Sequence, residues 1–357
     1  MQQLRSISLT QFRNYAFQSF DLEASAIAIS GKNGSGKTNL LDAVYYLCFS
    51  KSYFQNKEIN NVQEGKDGFR IEGSFLNEGK ESNTTIIWKD NKKRLFLDDV
   101  PVEKITDYIG TYTALMIAPD DIELINGGGT VRRKFFDGLL SQSDSKYLEN
   151  LLLYSKTLEQ KNAYLKLNAF SLDNSLLDIY DRQLSNAGAY LLEKRLNCSE
   201  RIPLLSYRFY EAIAQQSENI AINYQPCVNN VAQLMDYFVY SRPKDIEARR
   251  CVSGLHSEDW VLLLNGKPYK SHASQGQKKS LLISMKLAQM EWLRALNKTP
   301  IVLLDDIFDR LDSERVARLF YLLSQLELPQ IFLSHTEEDH MLKALMPHFG
   351  KVKSIQL

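Results

Sequence analysis

The sequence predicts an α/β fold in which both ends of the chain form one unit and a short helical hairpin is inserted between them. Strand and helix patterns alternate at both ends, whereas residues from about 120 to 216 show helical spacing alone. A glycine-rich turn joins a strand to a helix near the N-terminus, and an apolar strand near the C-terminus ends in two acidic residues. We expect segments 1–119 and 250–357 to form the α/β lobe and segment 120–249 to form the helical insertion lobe.

The N-terminal segment is rich in predicted strands. Alternating apolar residues from Leu4 to Leu9 predict a half-buried strand, and the run Ala26–Ile29 predicts a buried one. A helical pattern follows from Lys37 to Phe49. Ile86–Trp88 and Leu95–Leu97 flank a polar turn, which indicates a β-hairpin.

The middle segment contains two stretches with apolar residues at helical spacing. The first runs from Leu151 to Leu165 and the second from Leu176 to Leu191. Between them Asp173 and Asn174 are both suitable N-caps for the second helix. Each arm of this predicted hairpin has about 25 residues and a length of about 38 Å.

The C-terminal segment returns to a mixed pattern. A strand followed by Asn265–Gly266 indicates a hairpin, and alternating helices and buried strands come after it. In order, the predicted elements are a strand Val261–Leu264, a helix from Gln275 to Leu296, a strand Ile301–Leu304, an amphipathic helix from Ser313 to Leu326 and a strand Ile331–Leu333.

Composition excludes several classes of protein. The chain has 357 residues, 44% of them hydrophobic and 24% charged, which is typical of a globular protein and not of a disordered, collagen-like or disulfide-rich chain. The 43 basic and 43 acidic residues cancel, which argues against a histone-like binder but permits local basic patches. Cys48, Cys198, Cys227 and Cys251 have no metal-site spacing and are expected to be free thiols in a reducing compartment. With no signal sequence and no run of 18 apolar residues, we expect a soluble cytoplasmic protein that does not contact a membrane.

The segment Gly31–Thr38, GKNGSGKT, matches the phosphate-loop pattern GxxxxGK(S/T) between a strand and a helix. The glycines let successive N–H groups point at phosphate oxygens, and the following helix adds its positive end. Lys37 is expected to reach the β- and γ-phosphates, and the Thr38 hydroxyl to coordinate Mg²⁺. The predicted nucleotide contacts are Gly31, Lys32, Asn33, Gly34, Ser35, Gly36, Lys37 and Thr38.

The acidic pair Asp305–Asp306 ends the strand Ile301–Leu304. In parallel sheets, ligands bind at the carboxyl ends of the strands. Asp305 is therefore predicted to hold Mg²⁺ with Thr38, and Asp306 to orient the attacking water. The alternative is an acidic pair that simply begins a loop.

The segment Ser274–Gln275–Gly276–Gln277 opens a predicted helix about thirty residues before the acidic strand. A serine hydroxyl and a glycine N–H at a helix start form an anion site. Because the chain already has one phosphate loop, we expect this second site to hold the γ-phosphate of nucleotide bound by another subunit. The alternative is an ordinary serine N-cap.

Two further residues are candidates for the same site. His335 follows the last buried strand and is a candidate switch residue for the γ-phosphate, or else a surface histidine. Asp312 is a candidate for crossing a dimer interface, for capping the helix from Ser313, or for both.

These motifs in this order resemble the ABC-type P-loop ATPases of chromosome maintenance, and most closely the RecF family of bacterial DNA repair proteins. Leu9–Tyr15 resembles the FRNY start of that family, which makes Arg13 a candidate nucleotide contact. Pro119–Asp137 resembles its PxDLxLVxG…RRxFLD signature, and Tyr180–Leu184 its helical-arm pattern. The resemblance covers nearly the whole chain.

The chain departs from the family pattern in three places. Leu255 and Ser257 replace the proline and arginine of the family's GPHRDD, and Asp309–Asp312 stands where SELD is usual. Gly127–Gly129 replaces the expected GxP, which makes that loop more flexible.

The resemblance implies an ABC-type ATPase head that binds ATP and Mg²⁺, forms a homodimer on ATP, and binds single-stranded and gapped duplex DNA near junctions. It also implies partners RecO and RecR, with which the protein assists RecA loading in recombinational repair, replication restart and the SOS response. Because Asp306 is shorter than the glutamate common at this position, we expect weak ATP hydrolysis that acts as a switch.

The candidate DNA contacts are Arg132, Arg133 and Lys134, which form one of several short basic clusters. The others are Lys92–Arg94, Arg249–Arg250 and Lys278–Lys279, and for each of them a solvated surface is the alternative.

Three other functions share some of these motifs. The ATPase subunit of a membrane transporter usually has LSGGQ and lacks the helical hairpin. A long-armed chromosome-structuring protein needs longer arms and a hinge, and a small-molecule kinase has no use for Ser274–Gln277.

Overall fold

The computed structural model describes residues 2–77, 79–167, 172–215, 217–309, 312–326 and 328–357. The chain divides into two compact units. The first consists of Met1–Asp121, Ala212–Gln215 and Lys286–Leu357, and the second of Ile122–Glu211 and Gln216–Met285. The segments 1–119, 120–249 and 250–357 proposed from the sequence stay a prediction about domains.

The strands are numbered in chain order. They are β1 Gln2–Phe12, β2 Tyr15–Asp21, β3 Ala26–Ser30, β4 Gly68–Asn77, β5 Lys80–Lys89, β6 Lys92–Leu97, β7 Val100–Pro101, β8 Ala114–Ile117, β9 Ile220–Gln225, β10 Asp259–Leu264, β11 Lys267–Pro268, β12 Ile301–Asp305, β13 Ile331–His335 and β14 Val352–Gln356.

The α-helices are numbered in the same way. They are α1 Lys37–Phe49, α2 Ile105–Tyr108, α3 Glu123–Asn126, α4 Gly129–Ser143, α5 Ser145–Leu167, α6 Asn174–Ala214, α7 Leu234–Ala248, α8 Tyr269–His272, α9 Gln275–Arg294, α10 Ser313–Ser324 and α11 Glu338–Phe349.

A parallel sheet of order β14-β3-β13-β12-β8 organises the first unit. Every residue of β3, β12 and β13 is buried, as expected for a parallel sheet covered on both faces. Because these strands run in one direction, their carboxyl ends meet at one edge. That edge brings together the loop from Gly31, the pair Asp305–Asp306 and His335.

An antiparallel sheet of order β2-β1-β4-β5-β6-β7 forms the rest of this unit. Its inner face packs into the same core cluster as α1 and the parallel sheet. In β1, Leu4, Ile7 and Leu9 are buried, while Ser6 and Ser8 lie on the other face. The predicted β-hairpin is confirmed, and β5 and β6 are joined at Asp90 and Asn91, both of which have positive φ.

The second unit is built of helices and a small antiparallel sheet of order β11-β10-β9. Helix α4 packs against α5 and β10. The Trp260 ring stacks on Phe136 with centroids 4.1 Å apart and on Tyr224 with centroids 4.5 Å apart. The predicted turn Asn265–Gly266 is confirmed, because both residues have positive φ between β10 and β11.

The prediction of two arms of about 25 residues is correct for α5, which has 23 residues, and wrong for α6, which has 41. Helix α6 continues through Pro203, and buried Cys198, Ile202, Phe209 and Ile213 extend its inner face at helical spacing. Asp173 accepts a hydrogen bond from the Ser175 amide at its start. Most of the loop before Asp173 lies outside the described residues.

Candidate nucleotide site

The phosphate loop leaves the carboxyl end of β3 and ends where α1 begins. Gly31 and Gly36 have φ values of 155° and 114°, a backbone conformation that favours glycine. A Cβ at Gly36 would also approach the Asn14 amide to 2.5 Å, and one at Gly31 would lie 2.8 Å from the Leu357 carbonyl. Glycine is therefore required at both positions by backbone conformation and by space.

Three side chains brace this loop from outside. The Asn14 amide donates to the Ser35 carbonyl at 3.0 Å, and the Tyr15 hydroxyl donates to the Gly36 carbonyl at 3.0 Å. Asn39 donates to the Asn14 side chain at 2.7 Å. Asn14 and Tyr15 were not predicted to belong to the site, although both lie in the FRNY segment.

Lys37 is buried and its ammonium group lies over the loop. Its Nζ donates to the carbonyls of Gly31 at 2.9 Å and Lys32 at 3.2 Å. These bonds hold the positive charge inside the ring of backbone where phosphate oxygens are predicted to lie.

Thr38 and Asp305 are 267 residues apart in the chain and meet at this edge. The Thr38 hydroxyl lies 3.1 and 3.0 Å from the two Asp305 carboxylate oxygens. Ser334, which the sequence analysis missed, donates to Asp305 at 2.6 Å. Burial raises the pKa of Asp305 above its ordinary value, and the charge of Asp306 acts in the same direction.

Asp306 and His335 face each other beside this pair. Asp306 Oδ1 and His335 Nδ1 are 3.9 Å apart. Both atoms are buried and have no hydrogen-bond partner among the described residues. Asp306 also has a φ of 44°, which is uncommon for a residue with a side chain. Buried polar atoms are normally paired, so the two orphaned atoms mark a position for a polar group that both can contact.

The residues present fit a magnesium nucleotide. Mg²⁺ commonly takes one or two protein oxygens and completes its shell with phosphate oxygens and water. Thr38 and Asp305 supply a hydroxyl and a carboxylate. Among the described residues there is no cluster of three or more histidine, cysteine, aspartate or glutamate side chains that could hold a metal ion.

Arg13 lies near the start of α1 with its guanidinium group fully engaged. It pairs with Asp42 and donates to Asn39 at 2.8 Å and Ser52 at 2.9 Å. Burial lowers the pKa of Arg13, although the Asp42 carboxylate opposes that shift. The structure thus gives Arg13 a bracing position, and its nucleotide contact stays a prediction.

Ser274–Gln277 lies in the second unit at the start of α9. The Ser274 hydroxyl accepts from the Gln277 amide at 3.2 Å, and the Gln277 side chain accepts from the Ser274 amide at 2.6 Å. This reciprocal pair is a capping box. Gln277 also donates to Glu218 at 2.7 Å. Ser274 and Gln275 are exposed, and a role for the segment toward another subunit stays a prediction.

Asp312 caps α10, as one of its two predicted roles required. Its carboxylate accepts from the Arg315 amide at 2.9 Å and also pairs with the Arg315 side chain. Arg310 and Leu311 lie outside the described residues, and the interface role of Asp312 stays a prediction.

The predicted DNA contacts on α4 differ in what they touch. Arg132 makes two hydrogen bonds to Asp259, at 2.8 and 2.7 Å, and donates to the Gly127 carbonyl at 2.7 Å. Arg133 donates to the Glu258 carbonyl. Lys134 is exposed. The two arginines therefore join α4 to the start of β10, and DNA contact by the cluster stays a prediction.

The same region contains a buried arginine that the sequence analysis missed. Arg195 pairs with Asp137 at 2.8 Å and with Glu258 at 2.7 Å. Glu258 also accepts from the Tyr224 hydroxyl at 2.6 Å. The adjacent acids Glu258 and Asp259 and the adjacent Arg132 and Arg133 were the only signal in the sequence for this network.

Comparison with known proteins decides the family. The family model described as the RecF/RecN/SMC N-terminal domain matches residues 3–354. The DNA replication and repair protein RecF of Cytophaga hutchinsonii is 35% identical over 94% of this chain and 90% of its own length. The same protein of Flavobacterium johnsoniae is 36% identical over 94% of both chains. The chain belongs to the RecF family.

Solved structures agree with this family and with the predicted ABC-type ATPase fold. The "recombination mediator protein RecF-ATP in RecFOR pathway" aligns with a TM-score of 0.87 at 28% identity and covers 94% of this chain and 92% of that one. An archaeal Smc head domain from Pyrococcus furiosus aligns at 15% identity with a TM-score of 0.58, over 99% of this chain and 93% of that one, and shows the fold alone. In the part of the chain that the structure describes, no helix is long and apolar enough to cross a membrane.

Proposed function

We propose that this RecF-family protein is an ATP-dependent DNA-binding switch in DNA repair. The observation that supports it most is the sheet edge where Thr38 meets Asp305 beside the orphaned polar atoms of Asp306 and His335. A Mg²⁺–ATP site requires a phosphate loop, ligands for Mg²⁺ such as Thr38 and Asp305, and groups that can position a water, such as Asp306 and His335. Relatives described as RecF bound to ATP support the choice of nucleotide.

Different residues of the site would bind the phosphates and the Mg²⁺ ion. The backbone N–H groups from Gly31 to Gly36 would bind phosphate oxygens, together with the Lys37 ammonium group, which is held at the Gly31 carbonyl. Thr38 and Asp305 would hold Mg²⁺, with Ser334 fixing the orientation of the Asp305 carboxylate. When bound, Mg²⁺ supplies positive charge against the β- and γ-phosphate oxygens.

Hydrolysis falls to Asp306 and His335. Asp306 would orient the attacking water, and His335, whose Nδ1 lies 3.9 Å from Asp306 Oδ1, would contact the same group. Aspartate is one methylene shorter than glutamate, and a misplacement near 1 Å can cost about 10²-fold in rate. The proposed enzyme is therefore a weak ATP hydrolase whose turnover times release and does not drive motion.

Dimerisation would complete the site. Ser274 and Gln275 are exposed at the positive end of α9, where backbone N–H groups are available to an anion. We expect Ser274–Gln277 of one protomer to approach the γ-phosphate held by the other, with Asp312 near the same interface. This arrangement makes the dimer dependent on ATP.

The partners proposed for the chain follow from its relatives. The similar solved structures name the RecFOR pathway, which supports RecO and RecR as partners and RecA loading as the outcome. DNA of the single-stranded or gapped duplex type is the proposed substrate, and the cytoplasm the proposed location. Recombinational repair, replication restart and the SOS response are the processes it would serve.

The test is DNA binding by the full chain with a non-hydrolysable ATP analogue, on gapped and on fully duplex DNA of equal length. We expect tighter binding to gapped DNA, only with the analogue, and loss of that dependence in Lys37→Ala. Binding that is equal on both DNAs, or equal with and without nucleotide, would contradict the proposal.

A further inference from the structure

The outer face of the antiparallel sheet is open. One row across this face contains Phe17 of β2, Thr10 of β1, Arg70 of β4, Ile87 of β5 and Arg94 of β6, each directly opposite the next. Four strand spacings of about 4.8 Å give this row a length of about 19 Å. In the next row on the same face of the sheet, Lys89 of β5 and Lys92 of β6 are opposite each other. We call these seven residues the basic sheet face.

Side-chain alternation separates this face from the core. Leu9, Ile71, Ile86 and Leu95, the neighbours of the first row along their strands, are all buried. On the open side the Phe17 ring is 70% exposed. An aromatic ring this exposed on the edge strand β2, at one end of the row, is available to a ligand.

Three cations at the hairpin end of this face have no side-chain partner among the described residues. Lys89, Lys92 and Arg94 are exposed and form neither an ion pair nor a side-chain hydrogen bond with any described residue. Arg70 is paired with Glu72 at 2.6 Å. Lys93 points to the other face and pairs with Glu58 at 2.5 Å.

Acidic groups do not cancel this charge. Asp90, in the hairpin turn, is the one carboxylate between Lys89 and Lys92 in the sequence. At the far end of the sheet, Arg5 is shared by Glu23 at 2.5 Å and by Glu81. The positive charge of the face therefore gathers at the β5–β6 hairpin, and Phe17 lies at the opposite end of the first row.

This combination suits one kind of polyanion. Single-stranded nucleic acid is held by cations along its backbone and by aromatic rings on which its bases stack, and an open sheet is a known platform for such stacking. Duplex DNA keeps its base faces inside the stack, so an exposed Phe17 offers it little. By contrast, Arg132 and Arg133 already have partners within the protein.

We propose that the basic sheet face binds single-stranded DNA, with Lys89, Lys92 and Arg94 on phosphates and Phe17 stacked on a base. The inference rests on the proposed DNA-binding function and adds a specific surface to it. It predicts that contact with the single strand is made by the first unit and not by Arg132–Lys134 of the second.

The experiment compares two triple variants of the full chain, each with three cations neutralised. One is Lys89→Gln/Lys92→Gln/Arg94→Gln on the sheet face. The matched control is Lys156→Gln/Lys166→Gln/Lys244→Gln, three exposed lysines of the second unit with the same change in net charge. Binding of a labelled oligo(dT) is measured against salt concentration, with the ATP analogue present.

Each phosphate contact adds about 0.7 to the slope of log affinity against log salt for a single strand. The sheet-face variant is expected to lose about 2 from the magnitude of that slope, and the control to keep the wild-type slope. A wild-type slope in the sheet-face variant, or an equal loss in both, overturns the inference. If the wild type itself binds no oligo(dT), both the inference and the DNA part of the proposed function fail.

Phe17 supplies a second measurement that charge alone cannot explain. Phe17→Ala is expected to weaken oligo(dT) binding by about fivefold or more without changing the salt slope, because stacking is lost and phosphate contacts remain. Phe17→Tyr keeps an aromatic ring and should restore binding. Equal affinity in wild type and Phe17→Ala rules out the stacking role.

Discussion

Asp305 and Asp306 are adjacent in the chain, yet their carboxylates have different partners. Asp305 is held by Thr38 and Ser334, while Oδ1 of Asp306 faces His335 and has no hydrogen-bond partner among the described residues. Asp305 is the last residue of β12, and Asp306, the first residue beyond that strand, has a positive φ. Two acids in sequence can therefore serve two roles.

Mutations of the two acids should have different effects on ATP binding and hydrolysis. Asp305→Asn is expected to weaken Mg²⁺-dependent ATP binding by about tenfold or more, since a carboxylate ligand of the cation is lost. Asp306→Asn should bind ATP as wild type does and hydrolyse it about 10²-fold more slowly. Nucleotide titration with and without Mg²⁺ and single-turnover hydrolysis measure both effects. Wild-type hydrolysis by Asp306→Asn would remove Asp306 from the mechanism.

Arg132 should contribute to stability through Asp259. Burial favours a higher pKa for Asp259, but the hydrogen bonds and charge of Arg132 outweigh burial and lower the pKa below its ordinary 3.8. A carboxyl with a lowered folded-state pKa adds stability above the unfolded value, and that stability is lost as the pH falls through the folded value.

Arg132→Ala should therefore lower the free energy of unfolding by about 1–3 kcal/mol at pH 7, because a partly buried charged pair is broken. The difference in the free energy of unfolding between this variant and wild type should shrink only below about pH 3.8. Urea unfolding across pH measures it, with exposed Lys134→Ala as the control. A deficit that is the same at every pH would mean that Asp259 is not the partner responsible.

At the scale of elements, local patterns predicted much of the fold. The strand Ala26–Ile29, the phosphate loop and the helix Lys37–Phe49 follow from short runs of sequence, and the structure has α1 with those same bounds. The end of α6 could not be predicted in this way. Pro203 lies inside the helix, and a proline in a helical pattern is a sequence signal for the end of a helix, although α6 continues past it.

Long-range pairs also escaped prediction. Ser334 and Asp305 are 29 residues apart, and Glu258 and Arg195 are 63 apart. No periodic pattern links such residues. The phosphate loop and the acidic strand were found because each is a contiguous motif, whereas their supporting residues become visible only when the strands are side by side.

Buried charges hold the helices of the second unit together. Lys161 of α5 lies 2.7 Å from Asp181 of α6 and 3.0 Å from Asp245 of α7, and all three side chains are fully buried. Arg242 makes a further pair with Asp181 at 2.8 Å. The ion pairs thus fix three helices at one point.

Lys161→Ala should lower the free energy of unfolding by about 3–5 kcal/mol, since it leaves two buried carboxylates without their shared cation. Lys166→Ala, an exposed lysine on the same helix, is the control and should change it by no more than about 0.5 kcal/mol. Chemical denaturation of both variants provides the comparison. A loss for Lys161→Ala as small as that of the control would show that the cluster does not stabilise the fold.

At the scale of the whole molecule, the central claim is that ATP converts the chain into a DNA-binding dimer. Each protomer has a phosphate loop and a Ser274–Gln277 segment in which Ser274 and Gln275 are exposed, and we propose that the two meet across an interface between copies. Membership of the RecF family and similarity to ATP-bound relatives support the binding of ATP. The proposal that ATP causes dimerisation depends on the role of Ser274.

The most direct test is the mass of the protein in solution, by sedimentation velocity, with and without ATP. We predict a monomer without nucleotide, a dimer with ATP, and a Ser274→Arg variant that binds ATP as tightly as wild type but stays monomeric, because the larger side chain blocks the approach to the γ-phosphate. A wild type whose mass does not change with ATP, or a Ser274→Arg variant that dimerises normally, would contradict it.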